Sequence, residues 1–218
     1  MLIHTTKSET YELPYRFNNE YGKKTIGVYG DSFAGIARHA KYNEDFSHEH
    51  TWPYYLGVLS KSSVDAWGVN GGSEQDLALT LQKSGLNYDD IVLVHTHPLR
   101  DTRIAKNKIT DLYNALAIIE VLTKNKKNVL HVFWNDEHEI YKFSNKKYFM
   151  NFILLNHPNQ SEFYSPSTSK STINKNDQLG GYCHLSNRGN LLLAIEINKY
   201  LFSNDESIWT TLNVFKEN

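Results

Sequence analysis

The chain has a single cysteine, Cys183, among 218 residues. No internal disulfide can form, so the fold must stand on its apolar core. Its charges nearly cancel, 23 Lys plus Arg against 24 Asp plus Glu. That leaves no broad basic face, and neither nucleic acid nor an anionic membrane is expected as a partner. Long hydrophobic runs are missing as well: nowhere do about eighteen apolar residues follow one another, and no apolar signal region follows Met1. The expectation is a chain without secretory signal or membrane span, cytoplasmic or carried by a larger assembly. A Gly-x-Gly-x-x-Gly run and a P-loop lysine are absent too, which disfavours nucleotide binding.

What is present reads as alternating strands and helices. Thr25-Ile26-Gly27-Val28-Tyr29-Gly30 is a short apolar run that stops in Asp31-Ser32-Phe33-Ala34-Gly35. Ile26 and Val28 suit a covered strand, and Gly30 allows backbone to approach closely in the turn that follows. Thr51 with Pro53 marks a helix start. Ser63–Val69 is a second strand entering Asn70-Gly71-Gly72-Ser73, and Ser73 with Asp76 forms a capping-box pattern. Asp90–Val94 is a continuous apolar run, as a strand covered on both faces should be. It ends in His95-Thr96-His97-Pro98. Residues 109–123 carry Leu112, Leu116, Ile119 and Leu122 at helical spacing, and 128–134 follows as a fourth strand.

The ends of the chain are less patterned. Residues 1–24 read as a polar surface arm, and 25–218 as a single domain. Residues 149–155 suit a short helix. The stretch 156–181, with Ser165-Pro166-Ser167-Thr168-Ser169, reads as a long polar loop, with a lid over the site as the sharper alternative. Order returns at His184-Leu185-Ser186, ahead of a helix with Leu191, Leu193, Ile197 and Leu201, and residues 207–215 suit a last short helix. Such alternation predicts a parallel sheet with helices on both faces.

Four blocks, in order, resemble those of the SGNH (GDSL) hydrolases: Gly30-Asp31-Ser32, Trp52-Pro53-Tyr54-Tyr55-Leu56, Gly68-Val69-Asn70-Gly71-Gly72-Ser73, and His184-Leu185-Ser186. The resemblance spans about residues 25–202. It implies a three-layer α/β/α sandwich with a flavodoxin-like parallel sheet. It also implies hydrolysis of acyl esters, commonly acetyl groups on sugars, without a cofactor. Carried onto this chain, Ser32 is the nucleophile and His184 its base, because a serine at its free pKa is a poor nucleophile. The backbone N–H groups of Ser32 and Gly71 are the implied oxyanion donors. Asp31, Asn70 and Arg100, at or beyond the carboxyl ends of the first three parallel strands, are candidate substrate contacts.

The chain departs from the family pattern in two places. The asparagine expected after the third strand is replaced by His95-Thr96-His97-Pro98, which leaves His97 as the candidate N–H donor. The aspartate expected three residues before the histidine is Gly181. Either Asp177 reaches His184 from within the loop, or a backbone carbonyl orients the imidazole as a dyad. These gaps keep open a second reading, a protein of the same fold that binds a glycan or partner without turnover. Blander readings also stand: His184 as a capping histidine, Trp52 and Tyr54 as core, Gly71 and Gly72 as turn formers. His95 with His97, or His48 with His50, could hold zinc, but a two-ligand pair is a weak metal signal and no metal is assigned.

Overall fold

The computed structural model describes residues 14–22, 24–31, 33–34, 51–69, 72–96, 108–126, 128–133, 149–151, 164–166, 182–185 and 187–202. Its strands are β1 (Tyr15–Phe17), β2 (Thr25–Gly30), β3 (Ser63–Gly68), β4 (Asp90–Val94), β5 (Val129–Phe133), β6 (Phe149–Asn151), β7 (Tyr164–Pro166) and β8 (Tyr182–Leu185). Its α-helices are α1 (Trp52–Ser60), α2 (Glu74–Ser84), α3 (Lys108–Thr123) and α4 (Asn187–Phe202).

One sheet runs in the order β1-β3-β2-β4-β5-β6. Strands β2 to β6 are mutually parallel and follow the flavodoxin-like order, with the first parallel strand, β2, between the second and the third. Each residue faces one helix layer or the other by the two-residue period of a strand. Ile26, Val28, Val64, Ala66, Val92, Val94, Leu130 and Val132 pack on α1 and α4 through Trp52, Leu56, Leu193, Ala194, Ile197 and Tyr200. On the opposite face Tyr29, Ile91, Leu93 and Val129 pack on α2 and α3 through Leu77, Leu81, Leu116 and Ile119. The result is the three-layer α/β/α sandwich with a flavodoxin-like strand order that the sequence leads one to expect.

Helix α2 starts where its sequence says: the Ser73 side chain accepts from the Asp76 backbone, and Asp76 Oδ2 accepts from Ser73 N at 2.9 Å. At the amino-terminal edge of the sheet the buried Asp90 carboxylate pairs with Lys24 Nζ at 2.8 Å, and the same ammonium lies 4.1 Å from the Phe202 ring centroid. One cation therefore ties β4 to the end of α4.

Several expectations are corrected. Residues 15–17 of the expected arm are β1, paired antiparallel with β3 through Tyr15↔Ala66 and Phe17↔Val64, so the sheet is mixed. Phe17 is buried in the α1/α4 core, and this burial outweighs the polarity of the surrounding stretch. Residues 149–151 form an edge strand on β5 rather than a helix turn, because backbone pairing with 131–133 is available there. The expected polar loop contains β7, which pairs antiparallel with β8 through Tyr164↔Leu185 and Ser165↔His184. The helix expected at 207–215 lies outside the described residues.

Candidate active site

Three turns meet at the carboxyl end of the parallel strands. Chain order reverses about β2, with β3 on one side and β4 on the other; such a switch point opens a crevice at the strands' carboxyl ends. The Gly30 carbonyl accepts the Val69 N–H at 2.9 Å, which joins the turn after β2 to the turn after β3. A Cβ on Gly30 would sit 2.7 Å from Val94 O and 2.8 Å from Val94 Cβ, so the end of β4 closes on the same residue. Only glycine permits that approach. The turn after β3 is itself closed by Gly72 N–H donating to Val69 O at 2.9 Å.

Asp31 shapes the turn that carries Ser32. Its Oδ1 accepts the Phe33 N–H at 2.9 Å and its backbone carbonyl accepts the Ala34 N–H at 3.0 Å. The residue is buried, so this carboxylate holds the backbone on either side of position 32.

From this turn a short path leads to the far end of the chain. Trp52 Nε1 donates to Phe33 O at 2.7 Å, and Trp52 backbone N–H donates to Asn190 Oδ1 at 3.0 Å. Trp52 opens α1, so its N–H is one that no helical carbonyl can satisfy. Asn190, in the first turn of α4, meets that need. One buried tryptophan thus joins the residue after Ser32 to the helix that follows His184. From sequence Trp52 belongs to one of the four resembling blocks and is a core-packing residue, and no role falls to Asn190.

On the other face of the sheet a row of polar side chains is fully enclosed. Glu74 Oε1 accepts the Thr96 N–H at 2.8 Å, Glu74 Oε2 lies 3.1 Å from His95 Nδ1, and His95 Nε2 lies 2.9 Å from His131 Nδ1. The two imidazoles stack at 5.2 Å with 13° between their planes. Burial pushes His95 down to about 3. His131 is also held well below its ordinary value, first by burial and then by the neighbouring His95. Both rings are neutral near pH 7. Both nitrogens of His95 are engaged in this row, and among the described residues no group of three or more His, Cys, Asp or Glu could hold a metal ion. The sequence signal for the row is a histidine inside the apolar strand Val129–Phe133 and an acidic residue opening a capped helix.

Of the other expected site residues, His184 has its backbone in β8 opposite Ser165, one residue short of the link to α4. Ser32, Asn70, Gly71, His97, Arg100 and Asp177 lie outside the described residues. What the structure brings together is their framework: Gly30 and Asp31 before Ser32, Phe33 after it, Val69 and Gly72 flanking Asn70 and Gly71, and Thr96 before His97.

Sheet order and converging turns define a doubly wound α/β protein whose parallel strands follow the flavodoxin-like order, with the switch point at β2. Among solved structures the chain is similar to a protein named for the lipolytic G-D-S-L family from Desulfitobacterium hafniense DCB-2, at 14% identity and a TM-score of 0.49, covering 82% of this chain and 100% of that one. It is similar to the same degree to a protein described as a possible lipase from Chitinophaga pinensis DSM 2588, at 14% identity and a TM-score of 0.49, covering 81% and 97%. A more partial likeness, with 14% identity, a TM-score of 0.38 and coverage of 50% and 60%, is to LAE5, an alpha/beta hydrolase from the metagenome of Lake Arreo, Spain. No family model matches the chain, and no curated protein does. Among the described residues no helix is long and apolar enough to cross a membrane.

Proposed function

We propose that this protein is a serine-dependent ester hydrolase, an esterase or O-deacetylase that removes acyl groups, acetyl first among them, from a carbohydrate or similarly polar alcohol. The single observation that supports the reading is the Trp52 bridge between Phe33, the residue after Ser32, and Asn190, in the helix that follows His184.

In this mechanism Ser32 Oγ attacks the ester carbonyl carbon while His184 takes the hydroxyl proton. The carbonyl oxygen becomes an oxyanion that accepts from the backbone N–H groups of Ser32 and Gly71, with His97 as the third donor. Collapse breaks the bond to the alkoxy oxygen, and His184 returns the proton to the departing alcohol. Water, deprotonated by the same imidazole, then attacks the acyl-serine; the bond to Ser32 Oγ breaks, the imidazolium returns the proton to that oxygen, and the acid leaves. Gly72 N–H is already committed to Val69 O, which supports Gly71 as the donor from this turn. Asp177 or a backbone carbonyl orients His184, and Asn70 and Arg100 contact the substrate.

A fluorophosphonate probe tests nucleophilicity directly, and p-nitrophenyl acetate tests turnover. The expected result is covalent labelling and acetate release in the native chain, both abolished in Ser32→Ala. Equal background hydrolysis and no labelling in both proteins would favour the non-catalytic glycan- or partner-binding reading.

A further inference from the structure

The Glu74–His95–His131 row takes no part in the steps above, yet it lies directly under the turn that follows β4. With Glu74 ionised, the hydrogen-bond order of the row follows from its donors. The Thr96 N–H can only donate, so Glu74 Oε1 accepts. Glu74 is the first residue of α2, where the partial positive charge of the helix start favours an anion, and its other oxygen faces His95 Nδ1. A carboxylate oxygen there requires the proton on His95 Nδ1. A neutral His95 then offers a lone pair at Nε2, so His131 Nδ1 must carry a proton and donate to it. The charge on Glu74 therefore sets the tautomer of both rings, and the rings in turn hold Glu74 against Thr96.

We propose that Glu74 is a positioning residue: acting through Thr96 and His95, with His131 bracing from β5, it fixes the backbone at Thr96, the residue before the candidate donor His97. The catalytic consequence rests on the ester-hydrolase reading; the hydrogen-bond order does not. Sub-ångström placement of an oxyanion donor matters because misplacement of about 1 Å can cost on the order of a hundredfold in rate.

The test uses the full chain labelled with ¹⁵N-histidine, together with the variants Glu74→Gln and Glu74→Asp. Long-range ¹H–¹⁵N spectra near pH 7 are expected to show His95 and His131 both as the Nδ1–H form. In Glu74→Gln the amide must turn its oxygen to the Thr96 N–H and its NH₂ to His95, so both rings are expected to invert to the Nε2–H form. That variant keeps the turn, and its kcat for p-nitrophenyl acetate should stay within about threefold of the native value. Glu74→Asp is too short to reach Thr96 and His95 together, and its kcat should fall about tenfold or more with KM within about twofold. A native His95 in the Nε2–H form, or a folded Glu74→Asp with native kcat, overturns the proposal. If the native chain neither turns over esters nor labels at Ser32, the ester-hydrolase reading falls, and the tautomers still decide whether Glu74 governs the row.

Discussion

Asn190 Oδ1 accepts the Trp52 backbone N–H at 3.0 Å across 138 positions of sequence, in a fully buried setting. The contact satisfies a helix-start donor and fixes where α4 enters the molecule. Because β8 precedes α4 almost directly, the position of Asn190 also limits where residue 184 can lie.

Asn190→Ala leaves the Trp52 N–H buried without that acceptor, and should cost about 1–3 kcal/mol. Urea unfolding is expected to show a lower midpoint with an unchanged slope. Ester turnover should fall by more than the loss of folded protein explains, while Asn190→Asp, which keeps an acceptor oxygen, should recover most of both. A native midpoint in Asn190→Ala would show that the contact holds nothing.

Gly30→Ala places a methyl group against Val94 O and Val94 Cβ, both in the interior of the sheet. Relief requires the carboxyl ends of β2 and β4 to part, at a cost of about 1–3 kcal/mol. Thermal unfolding measures the cost. Turnover is expected to suffer more than stability, because the displaced backbone leads straight into Asp31 and Ser32.

The enclosed histidines make the fold sensitive to acid. Unfolded histidine titrates near 6.5, whereas burial holds His95 at about 3. Between those values the unfolded chain binds the extra proton, so stability is present above pH 6.5 and drains away as pH falls toward 3. Each such group costs up to about 1.4 kcal/mol per pH unit across that window. A series of urea midpoints from pH 7 to pH 4 should decline steeply. His131→Leu should flatten part of the decline.

Tyr88 ties the connection before β4 to β3 through its hydroxyl, which accepts from Trp67 Nε1 at 2.8 Å and donates to Asp65 Oδ2 at 2.9 Å. Tyr88→Phe strands the indole N–H and should cost about 1–3 kcal/mol. In the native chain, chiefly through burial, the phenol is pushed up to about 12. Ultraviolet titration should therefore show this tyrosine ionising later than exposed ones, with stability falling as pH rises from 10 toward 12.

Much of the architecture could be read from sequence because the inner strands are nearly continuous apolar runs. Asp90–Val94 and residues 129–132 are buried throughout, as strands covered on both faces should be. The Ser73 capping box marked the start of α2 for a local reason, since both of its hydrogen bonds lie within four residues. The short edge strands had no such signal. Tyr15-Arg16-Phe17 buries one residue of three and depends on β3 for its pairing. Within the candidate site, the turns were legible from small residues after apolar runs. The contacts that organise them were not, because Glu74, His95 and His131 stand 21 and 36 positions apart and meet only once the sheet has formed. His95 looked like half of a zinc pair with His97; the enclosed row gives both its nitrogens other partners.

Strand β1 has a practical meaning for anyone who shortens the chain. Beginning at Lys24 would keep every parallel strand, yet it would strip β3 of its outer neighbour, empty the space filled by Phe17 and unpair Asp65 from Arg16. A naked ribbon of amide and carbonyl groups would then face solvent, ready to recruit another molecule of the same kind. Precipitation, rather than a soluble minimal version, is the fate such trimming invites.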